Sequence, residues 1–198
     1  MCNEMSSKIF FLRHASTMVD LTIPSHTWEL SPQGIQMSQE IAFFPHFSTV
    51  KHIYCSMEKK TYLTISPFAE QHKLLLDCHA GLDEVHFKGL PLSDPEQFKD
   101  LKFQCFQNLD LSISGSETFR RGLNRFKKTL SEIQQRHLSE DILIVSHGTI
   151  LSLFFADLLG ILNDGNAMFN RWCNLSFCAW GAVESGSILH DLSRLRIN

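Results

Sequence analysis

Short apolar runs and helical stripes alternate along the chain. Ile9–Leu12 and Ile142–Val145 are continuous apolar runs with polar flanks, and they predict buried strands over 8–13 and 142–145. A third strand is predicted over 50–55, "VKHIYC". Ser31 followed by Pro32 marks a helix start, and that helix should run to about Phe44, where Pro45 stops it. Residues 58–72 predict a helix that Pro67 kinks or breaks. Phe119, Leu123, Phe126, Leu130 and Ile133 step by four and three, a buried helical stripe, and Ser114 with Glu117 has capping-box spacing ahead of it. An apolar helix over 149–160 and strands near 175–183 and 186–190 close the pattern. Residues 86–112 are irregular and rich in aromatics, an inserted loop or short helices covering something. There Phe87, Phe98, Phe103 and Phe106 form either an apolar specificity pocket or a small satellite core. Strands alternating with helices imply a single α/β domain over 1–198, a three-layer sandwich around a mostly parallel sheet.

Composition narrows the function without choosing it. The 198 residues are 43% hydrophobic and 20% charged, with a net charge of −3, which argues against nucleic acid or an anionic membrane as partner. The one basic run, Arg120, Arg121, Arg125, Lys127 and Lys128, falls on the predicted 119–133 helix and is expected to be a solvated face. No apolar run reaches the roughly 20 residues that span a bilayer. "MCNEMSSK" lacks a signal-peptide core, so a cytoplasmic protein is expected. Cys2, Cys55, Cys78, Cys105, Cys173 and Cys178 are scattered, with no CxxC pair, and are expected to be reduced thiols. The histidines have no metal-ligand spacing, so neither a metal nor another cofactor is expected.

Two strand ends carry candidate chemistry. "FFLRHAST" and "LIVSHGTI" both pass from an apolar strand into a histidine, a small residue and a hydroxyl. Ligands of open α/β sheets sit at the carboxyl ends of the strands, so both histidines should face one crevice. Phosphoryl transfer needs cations holding a dianion and a nucleophile in line with it. A neutral imidazole at His14 could attack phosphorus, with Arg13, a protonated His147 and another cation as the clamp.

"LRHAST" with "VSHGT" resembles the histidine phosphatase superfamily, the phosphoglycerate mutase-like enzymes. "WELSPQG", "YCSMEKKTYLTI", "GLDEVHF" and "SGSETFRRGLNRF" follow in the family's order over most of the chain. The resemblance implies a phosphoglycerate mutase-like fold. It implies His14 as the nucleophile that becomes phosphohistidine, and Arg13 and His147 as ligands of the phosphoryl oxygens. Gly148 would let the backbone approach the ligand at a helix start. Glu84 falls at the general acid that protonates the leaving oxygen, a role that calls for a raised pKa, with Asp83 as its neighbouring competitor.

Departures from the family pattern bear on substrate and rate. Its second arginine falls at Lys60, with Lys59 adjacent, and lysine lacks the bidentate fork. Ser56, Glu58 and Lys60 match a branch that carries lysine here. Ser16 stands where relatives have glutamate or glutamine, and Asp20 stands near a phosphate-contacting asparagine whose role an anion cannot take. Ser16 and Thr17 are turn residues or donors to phosphate. Glu117 and Arg125 are expected to cap and pair with each other. The expected function is a metal-independent phosphatase acting on a small-molecule phosphomonoester, with a phosphoprotein as the variant of that reading. The alternatives are a mutase-type phosphotransferase, disfavoured by the short tail after the last strand, and a catalytically weak phosphate binder.

Overall fold

The computed structural model describes residues 7–87 and 93–195. Cys2 and the 88–92 part of the aromatic segment lie outside them. The strands are β1 (Lys8–Arg13), β2 (Val50–Cys55), β3 (Leu76–Cys78), β4 (Asp141–Ser146), β5 (Ala179–Glu184) and β6 (Ser187–Arg194). The helices are α1 (Pro32–Ile41), α2 (Lys59–His72), α3 (Pro95–Gln107), α4 (Phe119–Arg136), α5 (Gly148–Leu158) and α6 (Gly165–Asn174).

Side chains alternate across a strand, and β1 shows how that divides the core. Ile9 and Phe11 face a cluster built with α3 to α6, while Phe10 and Leu12 face a second cluster built with α1 and α2. The result is the expected sandwich, helices on both faces of a six-stranded sheet ordered β3-β2-β4-β1-β5-β6. β3, β2, β4 and β1 pair in parallel, and β5 runs antiparallel to both β1 and β6.

Several boundaries differ from expectation for identifiable reasons. α1 ends at Ile41, and residues 42–44 close it through tighter i→i−3 bonds, the last from Phe44 N to Ile41 O at 3.0 Å. α2 continues unbroken through Pro67. Proline cannot donate to the Leu63 carbonyl, and the Ser38 hydroxyl supplies the missing donor at 2.8 Å, also reaching Thr64 O at 2.9 Å. The Ser114–Glu117 capping box does not form. Ser114 has a φ of 52°, and Thr118 caps α4 by accepting from Arg121 N at 3.2 Å. The described part of 86–112 holds one 13-residue helix, α3, rather than short pieces. It packs against α6, with Phe98 and Phe106 both against Trp172.

Candidate active site

Sheet register brings the two histidines together. β1 and β4 pair with Arg13 opposite Ser146, so the next residues, His14 and His147, leave adjacent strands side by side. Their ring centroids are 5.3 Å apart. β2 joins from the other side of β4 with Cys55 opposite Val145, and Ser56 Oγ lies 2.8 Å from His147 Nε2. These strand ends floor a cavity of about 390 Å³ that Arg13, His14, Thr17, Lys60, Glu84, His147 and Gly148 all line.

His14 is fixed and uncharged. Its Nδ1 lies 2.8 Å from the Ala15 carbonyl, which selects the Nδ1–H tautomer and leaves Nε2 with a lone pair. Burial, then the neighbouring His147, Arg13 and Lys60, hold its pKa well below the ordinary histidine value. The protonated His147 expected from sequence is not found. Burial outweighs the attraction of Glu84 and takes its pKa down to about 3, so the ring is neutral near pH 7. Its Nδ1 is buried without a hydrogen-bond partner, a donor or acceptor held open beside His14.

The cationic side of the cavity belongs to Arg13 and Lys60. Arg13 donates to the Leu175 carbonyl, lies 4.4 Å over the Phe177 ring, and leaves its buried Nε unpartnered. Gly148 also serves the arginine. A Cβ at that position would stand 3.2 Å from the guanidinium, so the glycine makes room for Arg13. Lys60 is no solvated helix lysine. It is 6% exposed, with Nζ 2.5 Å from Glu58 Oε2 and 2.9 Å from the Ser25 carbonyl. Lys59 points away, to an exposed pair with Glu29.

Glu84 enters from the loop after β3. Arg125 of α4 shapes this loop, donating to the carbonyls of Gly81, Asp83 and Glu84 at 2.9–3.1 Å while pairing with Glu117. Arg125 therefore leaves the solvated basic face to hold backbone, and its pairing with Glu117 is as expected. The Glu84 carboxylate accepts from Thr149 N and Ile150 N at the start of α5 and from Val85 N. Burial favours its neutral form, but Lys102, His147 and these N–H donors outweigh it and take the pKa down to about 2. The raised pKa asked of a general acid is absent from the unliganded site. Asp83 turns instead to Met57 N at 2.7 Å.

Thr17 lines the cavity, whereas Asp20 is exposed and binds Thr22, and the Ser16 carbonyl accepts from Ser31 N. The four phenylalanines divide. Phe87 and Phe98 line the cavity, Phe106 is in the main core, and Phe103 packs outward on Phe169. Sequence reasoning missed Lys102, which lines the cavity from α3. The available signal was its position with Phe98, Cys105 and Phe106, a lysine on the apolar stripe of a helix. Sequence spacing also hid one possible metal-ligand group among the described residues, His52, His137 and Glu140. It lies where β2 and β4 begin, at the opposite ends of those strands from the cavity.

Comparison with known proteins places the chain in a family. A model of the histidine phosphatase superfamily (branch 1) matches residues 9–187. Phosphoserine phosphatase 1 of Hydrogenobacter thermophilus is 26% identical over 141 residues, 67% of this chain and 65% of the relative, just under two thirds of its length. The adenosylcobalamin/alpha-ribazole phosphatase of Escherichia coli K12 is 24% identical over 165 residues, 78% of this chain and 80% of that one. A solved mycobacterial glucosyl-3-phosphoglycerate phosphatase with inorganic phosphate superposes with a TM-score of 0.73 at 17% identity, covering 97% of this chain and 98% of that one.

Proposed function

Because the chain belongs to the histidine phosphatase superfamily, we propose that it hydrolyses a small-molecule phosphomonoester through a phosphohistidine on His14, without a metal. The observation that carries this reading is the pairing of a neutral, tautomer-fixed His14 with His147 and Arg13 at one strand-end cavity. His14 Nε2 attacks phosphorus in line, the ester P–O bond breaks, and the leaving oxygen takes a proton. Water then attacks the phosphohistidine, the P–N bond breaks, and inorganic phosphate leaves with His14 restored. Arg13 Nε and His147 Nδ1, both buried without partners, supply contacts to the phosphoryl oxygens. Lys60 adds charge, shared with Glu58.

Glu84 acts as the general acid once the site is filled. A bound phosphate dianion offsets the cations that hold Glu84 ionised, so its proton affinity rises when a leaving group is present. Thr17 and the Gly148 backbone border the bound group. The curated relatives are named for phosphoserine and for alpha-ribazole, which fits a small phosphorylated substrate. Assay of the purified protein against a panel of phosphomonoesters tests the reading. We expect turnover of 4-nitrophenyl phosphate that survives EDTA and is abolished by His14→Ala. Activity lost to EDTA and restored by Mg²⁺ or Zn²⁺ would contradict the mechanism. Tight phosphate binding without turnover of any ester would identify a binding protein instead.

A further inference from the structure

A β-bulge aims a histidine at the end of the sheet opposite the catalytic cavity. Val50 pairs with Asp141 and His52 with Ile142, so Lys51 is an extra residue in β2. In an unbroken strand Val50, His52 and Tyr54 would share one face. With the extra residue, Val50 packs in the cluster built with α1 and α2, while Tyr54 packs in the cluster built with α3 to α6 and His52 turns to that side with it. There His52 stacks on His137, the residue that caps the end of α4, with 3.6 Å between ring centroids. Glu140, just ahead of β4, closes the group. Its Oε2 is 2.7 Å from His52 Nε2 and 3.8 Å from His137 Nδ1.

A histidine–glutamate ion pair does not call for the second imidazole. His137 Nδ1 stands beyond hydrogen-bond range of the oxygen it faces. Its ring is fixed from behind, with Nε2 2.8 Å from the Tyr54 hydroxyl. Such an outer contact orients an imidazole ligand: Nε2–H donates to the phenol oxygen and Nδ1 keeps its lone pair. The neighbouring Asp141 is taken by Lys8 N and Thr49 Oγ1, which leaves Glu140 as the carboxylate facing the rings. Donor atoms around a tetrahedral zinc ion stand about 3.3 Å apart, given bonds of roughly 2.0–2.1 Å. The two distances to Glu140 bracket that separation, and all three ligand atoms lie within 4.8 Å of one another. His52 and Glu140 are part-exposed, so rotation of their side chains closes the set. Two imidazoles and one carboxylate suit Zn²⁺, whereas Mg²⁺ and Ca²⁺ take oxygen donors.

We propose that His52, His137 and Glu140 bind one zinc ion, with water as the fourth ligand. The ion joins β2, the end of α4 and the start of β4, and takes no part in phosphoryl chemistry. A carboxylate only accepts, so His52 Nε2 carries a proton while it pairs with Glu140. On coordination Nε2 releases that proton, and the lone pair left behind binds the ion. The site stands whether or not the phosphatase reading does. The test uses the intact protein, stripped with EDTA and titrated with ZnCl₂ by calorimetry. We expect one strong Zn²⁺ per chain and no comparable uptake of Mg²⁺ or Ca²⁺. Zn²⁺ at about a hundred times its Kd should raise Tm by about 5–10 °C. Co²⁺ in its place should give visible d–d absorption without the sulfur charge-transfer band that binding at the adjacent thiols of Cys55 and Cys78 would produce. Tyr54→Phe should weaken binding by about ten- to a hundredfold, and His52→Gln and Glu140→Gln by more. The strong site should survive His14→Ala and Cys78→Ser, which remove a histidine of the catalytic cavity and a thiol. No saturable Zn²⁺ binding by the unmutated protein overturns the inference whether or not the variants fold. So does a site that His14→Ala or Cys78→Ser abolishes, or one that His52→Gln and Glu140→Gln both retain.

Discussion

Glu84 concentrates the chemistry of single residues in this site. Three backbone N–H groups and two nearby cationic or ring groups hold it ionised, while its proposed task is to give a proton. Glu84→Gln should therefore slow alkyl phosphates on the order of 10²-fold or more and leave aryl phosphates, whose leaving groups depart unprotonated, nearly unaffected. Steady-state rates on ethyl and 4-nitrophenyl phosphate check this, and an equal loss on both would assign Glu84 to scaffolding alone. At this scale the sequence was partly legible. His14 and His147 stand out because a polar residue at the end of an apolar strand needs no tertiary knowledge to notice. Glu84 was found through family resemblance, since nothing local separates it from Asp83. The charge state of His147 in the unliganded site was not legible, because burial, which sets it, is a property of the packed chain. Lys102 was missed because its neighbours come from α4, α5 and α6.

Elements deliver these residues, and α4 does so at a distance. Its apolar stripe from Phe119 to Ile133 is buried, and the opposite edge sends Arg125 to the loop that carries Glu84. Gly81 sits in this loop against α4 with no space for a side chain, because a Cβ would fall 1.9 Å from Thr129 Oγ1. Arg125→Met would leave three carbonyls without this donor and Glu117 with His86 N alone. We expect a loss of about 2 kcal/mol, discounted for its half-buried setting, which for a chain of this length lowers Tm by about 4–8 °C. Thermal unfolding measures it, and an unchanged Tm would show that the loop holds itself. Long periodic elements such as α4 were readable from sequence. β3 was not, because three residues, Leu76–Cys78, are too few to show a period. α6 was not, because only Met168 of its ten residues is fully buried.

The whole molecule is organised by one adjacency, β1 beside β4 at the centre of the sheet. Sequence implied parallel strands with both histidines at their carboxyl ends, but strand order and register come from long-range packing. The same placement has a thermodynamic consequence. His14 and His147 are buried neutral with pKa values below those of the unfolded chain, and Glu84 is also depressed. The unfolded state therefore binds more protons than the folded one. Stability falls as pH drops below about 6.5, by up to about 1.4 kcal/mol per pH unit for each histidine, and Glu84 adds to the fall only below about 4.5. Urea denaturation between pH 7.5 and 4.5 should show this slope, and His147→Gln should flatten it. A flat profile in the unmutated protein would mean that these histidines are not buried as described. The central claim, a covalent bond between His14 and phosphorus, is tested most directly by rapid quench. The Glu84→Gln protein mixed with an aryl phosphate should yield an acid-labile, base-stable phosphoryl group that peptide mapping places on His14. Turnover without a phosphoenzyme, or a phosphoryl group on any other residue, would contradict it.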